Sequence, residues 1–248
     1  MTKIIKINNL NYSIFNNFSI SFNKDELTTI SGSNRSGKTL LLKIISGKVF
    51  LKGDIEINNK NINDYSNQEI YNLVGYISKE ELSFNYDNVL NELKYITSKT
   101  TEVIKKYSLE KIKNKDIKDL KLSEKIYLSL IINILRGKEI LLIDNVDNYL
   151  REDEMLDLIT VIKDYHKTII MTINNLNYSL ESNQLYILKS GSIILKGEPK
   201  EVLKHDTTIN KIGLDLPFMY DLSIKLKDYN LLGDIELNMD RMLDKLWK

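Results

Sequence analysis

Gly32 to Thr39 read GSNRSGKT, directly after the apolar run Leu27 to Ile30 and directly before Leu40 to Ile45, which has the apolar spacing of a helix. Strand, glycine loop and helix in that order form the setting in which G-x-x-x-x-G-K-T cradles a polyphosphate. Successive backbone N–H groups must converge on the anion, so the chain has to curl tightly and approach closely. Gly32 and Gly37 permit this because they carry no Cβ. Ser33, Asn34, Arg35 and Ser36 make up the curl. Lys38 offers a point charge to the β- and γ-phosphates, the Thr39 hydroxyl offers a ligand to Mg2+, and the following helix directs its positive end at the anion.

Such a site needs a carboxylate beside the loop, at the end of another buried strand, to hold the magnesium water shell. LLIDNVDNYL supplies one at Asp144, after the apolar run Ile140 to Ile143. Apolar runs ending in Asp are common; the pairing with the glycine loop is what points to a P-loop nucleotide-binding protein.

The elements that must position these residues alternate β-branched runs with helical patterns. Lys3 to Ile7, Phe18 to Phe22, Leu27 to Ile30 and Gly53 to Ile57 read as strands separated by Asn-rich turns. Ser66 to Leu73, Asp87 to Thr97 and Thr101 to Tyr107 read as helices, and the Lys-rich stretch Lys105 to Lys125 as their solvated face. Ile126 to Leu135 is the most apolar helical piece. Glu139 to Asp144 and Thr168 to Ile173 are buried-type strands flanking a helix at Asp153 to Asp164, and Leu185 to Leu188 with Ser192 to Leu195 form a hairpin through Ser190 and Gly191.

Composition excludes several other classes. The chain has 248 residues, 42% of them hydrophobic, enough for one large core with an appendage. Thirty-five basic residues against thirty-four acidic ones leave a net charge of +1, so no global basic field argues for nucleic acid as a partner. The absence of cysteine rules out disulfides and thiolate metal sites and suits a reducing compartment. His166 and His205 lie far apart without ligand spacing and read as surface or packing residues. No run approaches the roughly 20 apolar residues of a spanning helix, and the start MTKIIKINNL lacks the apolar core of a secretory signal. The expectation from these features is a soluble protein facing the cytoplasm, or a peripheral one.

With these motifs assembled, the chain resembles the ATP-binding subunits of ABC transporters over nearly its whole length, from NNLNYSIF through the phosphate loop with KIISG after it to GSIILKGEPKEVL. The tail IGLDLPFMYDLSIKL is similar to the segment typical of energy-coupling factor (ECF) transporter ATPases, which drive uptake of vitamins or metal ions through a membrane coupling subunit. The resemblance implies an α/β P-loop NTPase fold: a mostly parallel sheet core, an antiparallel β subdomain and a helical subdomain at about 80–135. It implies a nucleotide-binding domain at 1–200 and a C-terminal extension at 201–248, whose Leu226, Leu231, Leu243 and Trp247 suit either a dimer contact or packing on their own core. It also implies ATP and Mg2+ as cofactors, with Gly32, Ser33, Asn34, Arg35, Ser36, Gly37, Lys38 and Thr39 binding nucleotide and Thr39 with Asp144 binding the metal.

Carried over residue by residue, the family's catalytic positions depart from its pattern. Arg35 stands where glycine is usual. Asn145 replaces the glutamate that polarises the attacking water, and an amide cannot accept a proton; loss of a positioned base typically costs about 10²- to 10⁴-fold in rate. Asp147 lies nearby as a possible substitute. Lys79 replaces the glutamine after V-G-x-x-x, and Asn174 replaces the histidine after the following strand, able to donate a hydrogen bond but not to switch charge. The adenine-stacking aromatic falls at Ile14 by register; Phe15 or Tyr12 could serve in its place, although core packing is the expected role of either. In place of LSGGQ the chain has LKLSE. Either Lys121, Leu122 and Ser123 replace Ser-Gly-Gly, or Ser123 is the serine and both glycines are deleted, and Glu124 there opposes an anion.

These subunits dimerise head to tail, each phosphate loop facing the partner's signature. A homodimer would carry both defects twice. The expectation is therefore weak turnover and a heterodimer with a second ABC-type ATPase subunit, in which this chain is the degenerate member that binds Mg-ATP to clamp the dimer. The competing expectation is a nucleotide-binding regulatory or scaffold protein without a transport role.

Overall fold

The computed structural model describes residues 2–51 and 53–247. Two sheets and a set of helices make up an α/β fold. The first sheet is antiparallel, in the order β2-β1-β4-β5, from β1 (Lys3–Tyr12), β2 (Phe15–Asn23), β4 (Asp54–Ile57) and β5 (Lys60–Asn61). β1 and β2 pair with Ile5 opposite Phe22 and Ile7 opposite Ile20, so alternate residues face one side. Both strands run further than their apolar patterns indicate, because the turns at Asn9 and Asn17 are left-handed kinks within strands and do not end them.

The second sheet carries the site. Its order is β10-β9-β3-β8-β7-β6, from β3 (Leu27–Gly32), β6 (Val74–Ile77), β7 (Ile140–Asp144), β8 (Thr168–Thr172), β9 (Gln184–Lys189) and β10 (Ser192–Gly197). β6, β7, β8, β3 and β9 are parallel and only β10 is antiparallel, the hairpin expected at Ser190 and Gly191. Every residue of β3, β7 and β8 is buried, as strands covered on both faces require. Each fully buried Ile or Leu there contributes about 1.5–3 kcal/mol. Because the strands are parallel, the glycine loop after β3, Asp144 and Thr172 all emerge at one edge. His166 lies in the turn before β8, at the other.

The helices are α1 (Lys38–Ile45), α2 (Asn67–Leu73), α3 (Val89–Ile96), α4 (Thr100–Lys106), α5 (Leu122–Leu135), α6 (Glu152–Asp164), α7 (Pro199–Leu203), α8 (Asp206–Lys211), α9 (Phe218–Asp228) and α10 (Met239–Leu246). α3, α4 and α5 gather a small core of their own around Val89, Leu93, Ile104, Leu128 and Ile131. The Lys-rich stretch departs from the helical expectation beyond Lys106. From Tyr107 to Lys121 it is a chain of turns in which Tyr107, Leu109, Ile112, Ile117 and Leu120 are buried, while its lysines point outward or lie half-exposed. α5 begins four residues before the apolar run, so Leu122, Ser123 and Glu124 are its first turn. At the C-terminal end, Val202, Leu203, Ile209, Leu214 and Tyr220 pack on Leu185 and Ile187 of β9. His205, ahead of α8, is exposed. Among the described residues no helix is long and apolar enough to cross a membrane.

Candidate functional site

The glycine loop closes on itself as its composition requires. Gly37 caps α1 at φ 106°, and a Cβ there would stand 2.9 Å from both Ile14 Cδ1 and Phe15 Cζ. A Cβ on Gly32 would meet the Leu188 carbonyl oxygen at 2.1 Å. Arg35 takes the left-handed conformation at φ 61°, which explains why glycine is the ordinary residue there. Lys38 is buried at the centre of the curl and its Nζ donates to the Gly32 carbonyl at 2.6 Å. Burial lowers its pKa, and the charges of Asp147 and Asp144 oppose that shift.

Asp144, at the end of β7, accepts from the Thr39 hydroxyl at 3.1 Å and from the Thr172 hydroxyl at 2.7 Å on Oδ1, and from the Tyr76 hydroxyl at 2.8 Å on Oδ2. Asn145 is left-handed at φ 48° and its Nδ2 donates both to Asp144 Oδ1 at 3.0 Å and to Thr39 Oγ1 at 3.3 Å. Asn174, after β8, donates from Nδ2 to Asn148 Oδ1 at 3.0 Å. A cavity of about 460 Å³ joins Ile14, Asn34 through Leu40, Lys43, Asn145, Asn148 and Asn174.

The residues suit a magnesium nucleotide. Ser36 Oγ is buried beneath the loop without a hydrogen-bond partner among the described residues, both glycines are sterically obligatory, and the neighbouring hydroxyl and carboxylate of Thr39 and Asp144 are the hard oxygen donors Mg2+ prefers.

Not every expected residue joins this pocket. Lys79 is exposed, its Nζ lying 4.9 Å from the centre of the Tyr149 ring. Asp147 turns away from the role of substitute base. Its Oδ2 accepts from the backbone N–H of Asn174 at 2.6 Å and of Asn175 at 3.0 Å, so it pins the loop that carries Asn174, and its Oδ1 is buried. Burial raises its pKa against those hydrogen bonds and the charge of Lys38. Ile14 lines the cavity, whereas Phe15 is buried against Phe18 with ring centres 4.6 Å apart and Tyr12 lies outside the lining. Tyr76 and Asn148 join the site without a signal in their local sequence. Thr172 had one, a hydroxyl ending an apolar strand at the loop edge.

At the start of α5 the Ser123 hydroxyl donates to Glu154 Oε1 of α6 at 3.0 Å, and Lys121 is the exposed residue. Glu124 opposes an anion less than its charge suggests. Its carboxylate accepts from the Lys121 N–H at 2.8 Å and pairs with Lys115 at 3.0 Å; burial pushes its pKa up, but these contacts together draw it below the usual value.

A second cavity, of about 410 Å³, opens between the sheet core and α5, lined by Lys48, Phe50, Tyr71, Tyr76, Glu81 and Arg136 among others. Phe50 is 80% exposed, although it stands in the wall of that groove.

The family model described as ABC transporter matches residues 15–148, more than half of the chain. The chain belongs to the ABC transporter family. It is 25% identical to the energy-coupling factor transporter ATP-binding protein EcfA1 of Mesomycoplasma hyopneumoniae, over 97% of this chain and 93% of that one. To the protein of the same name from Fusobacterium nucleatum it is 28% identical, covering 97% of both. Among solved structures, CbiO1 of Clostridium perfringens, part of the ABC transporter complex CbiONQ, superposes with a TM-score of 0.70 at 22% identity, covering 87% of this chain and 96% of that one. The ABC fold and the likeness to ECF transporter ATPases, both implied by the motifs, therefore hold.

Proposed function

We propose that this chain is the ATP-binding subunit of an ECF-type importer, and that it uses occupancy of its nucleotide site more than cleavage there. In this reading residues 1–200 form the nucleotide-binding domain, with the helical subdomain at about 80–135, and 201–248 the extension. The loop amides from Gly32 to Thr39 and the Lys38 ammonium hold the phosphates, and Thr39 and Asp144 hold Mg2+. The metal, when bound, would supply neutralisation of the phosphate charge.

The observation that carries the reading is the state of Asn145. Its Nδ2 donates to Thr39 and Asp144, so an amide donor stands where a base must accept the proton of water. Asn174 adds a second amide and Asn148 a third, and a wall of amides can hold phosphate without moving a proton. The start of α5 lacks the glycines that would complete a partner's site, so two copies of this chain would share both defects. A heterodimer with a second ABC-type ATPase follows, in which this chain is the degenerate member that closes on ATP while the partner's site resets more slowly.

The extension supports such a pairing. Leu231, Leu243 and Trp247 are 56%, 44% and 85% exposed, so they are not spent on the chain's own core. The groove along α5 suits helices of a membrane coupling subunit, which would hold the protein at the cytoplasmic face as a peripheral subunit in uptake of a vitamin or metal ion.

The test is ATP binding and hydrolysis by the purified chain, alone and with its partner ATPase, beside Lys38→Ala. Expected are Mg-ATP binding by the wild type, its loss in Lys38→Ala, and turnover alone about 10²-fold or more below that of a subunit with an intact base. Hydrolysis by the chain alone at an ordinary ABC rate would refute the degenerate site. Failure to bind ATP in either form would make the loop vestigial.

A further inference from the structure

One side chain reaches from the groove to the nucleotide pocket. Tyr76, on β6, lines the groove with its ring, and its hydroxyl donates to Asp144 Oδ2 at 2.8 Å. On the groove side, Lys48 Nζ lies 5.0 Å from the ring centre, and Lys48 is itself paired with Glu81, in the short turn that follows β6. On the pocket side, Asp144 is the carboxylate that Thr39 and Asn145 share. Next to Tyr76, Gly75 has no room for a side chain, since a Cβ would meet Asn133 Oδ1 at 2.6 Å, so the strand that carries the ring is held tightly against α5.

We propose that Tyr76 is the positioning residue through which the groove and the magnesium-nucleotide site sense each other. A segment seated in the groove that shifts the ring withdraws the hydroxyl from Asp144, and Asp144, held in place when it serves the metal, would fix the ring from the other end. The proposal rests on the nucleotide reading given above. It requires only that the ring have two positions with different contacts at each end, which is the physical content of coupling between sites. Lys48 and Glu81 set the groove-side balance: the cation over the ring face favours the inward position, and their ion pair ties that cation to the turn bordering the groove.

The experiment uses the full chain and a fluorescent, non-hydrolysable ATP analogue, titrated with Mg2+ in wild type, Tyr76→Phe, Lys48→Met and the double variant. Thermal melting of each variant checks the fold. Tyr76→Phe keeps the ring and removes the donor, so the Mg2+ midpoint should rise about 10-fold, the range for loss of a hydrogen bond to a metal-ligating carboxylate, while metal-free nucleotide affinity stays unchanged. Lys48→Met, which touches the groove alone, should shift that midpoint roughly threefold in the wild type and not at all in the Tyr76→Phe background. Hydrogen exchange supplies a readout without turnover: Mg-nucleotide should slow exchange across residues 46–50 in the wild type and leave it unchanged in Tyr76→Phe. Equal Mg2+ midpoints for wild type and Tyr76→Phe, or additive shifts in the double variant, would overturn the link and leave the nucleotide site standing. A wild type that binds no analogue would overturn both readings together.

Discussion

Replacing Arg35 by glycine separates two effects that this residue combines. Its backbone sits at φ 61°, in the left-handed region, where an L side chain costs about 1–2 kcal/mol. Glycine removes that strain and returns about 0.5–1 kcal/mol of it through the greater freedom of the unfolded chain. The difference is a stabilisation of about 0.5–1 kcal/mol, which for a chain of this size raises the melting temperature by roughly 1–4 °C. The guanidinium, however, stands exposed in the lining of the nucleotide cavity. A unit charge at about 4 Å from a phosphate charge in water is worth about 1 kcal/mol, so its removal should weaken ATP binding about fivefold at low salt. Near 1 M salt, where the Debye length falls to about 3 Å, the loss should vanish. Melting without nucleotide and calorimetric titration at two ionic strengths measure the two terms separately. A lower melting temperature would refute the strain argument, because it would mean that the side chain returns more than its backbone costs. An affinity unchanged at low salt would refute the electrostatic one and leave the arginine pointing to water.

Two further perturbations probe the loop and the groove. Gly37→Ala forces a Cβ to 2.9 Å from Ile14 Cδ1 and from the buried Phe15 ring at φ 106°; the expected cost is about 1–3 kcal/mol with loss of nucleotide binding, and an unchanged denaturant midpoint would contradict it. Lys138 is 2% exposed, donates to the Tyr71 carbonyl and lies 3.9 Å from the Tyr71 ring centre, and burial with the nearby Arg136 charge lowers its pKa from 10.5 to about 8. A lysine with a depressed folded value binds fewer protons folded than unfolded. Wild-type stability relative to Lys138→Met should therefore rise between about pH 8 and 10.5, by up to about 3 kcal/mol less whatever the ring's attraction for the cation restores, and a flat difference across that window would refute it.

Much of the nucleotide site was legible because it is local. A glycine loop between a strand and a helix occupies eight consecutive residues, and its sterics reside in the backbone, so GSNRSGKT announces both the curl and the positions that forbid a Cβ. Buried parallel strands are equally plain, because covering both faces demands unbroken apolar runs such as Ile140 to Ile143. From these alone Asp144 falls beside Thr39, where the two share a hydrogen bond of 3.1 Å.

Contacts between distant segments were not legible, because nothing in a residue's neighbours says what stands across the sheet. The hydroxyl of Tyr76 on Asp144, Asp147 capping two backbone amides beyond β8, and Ser123 turned onto Glu154 all depend on how parallel strands and packed helices align. The lysine-rich stretch misled for the same reason. Its charges describe which side meets water, while five buried apolar residues, spaced by turns, decide the path of the chain. Sequence alone determined which chemistry this protein carries, since residue type and short-range spacing set what a loop can bind. Tertiary structure decided which side chains share that chemistry, because hydrogen bonds and burial act through distances that only the folded sheet brings within reach.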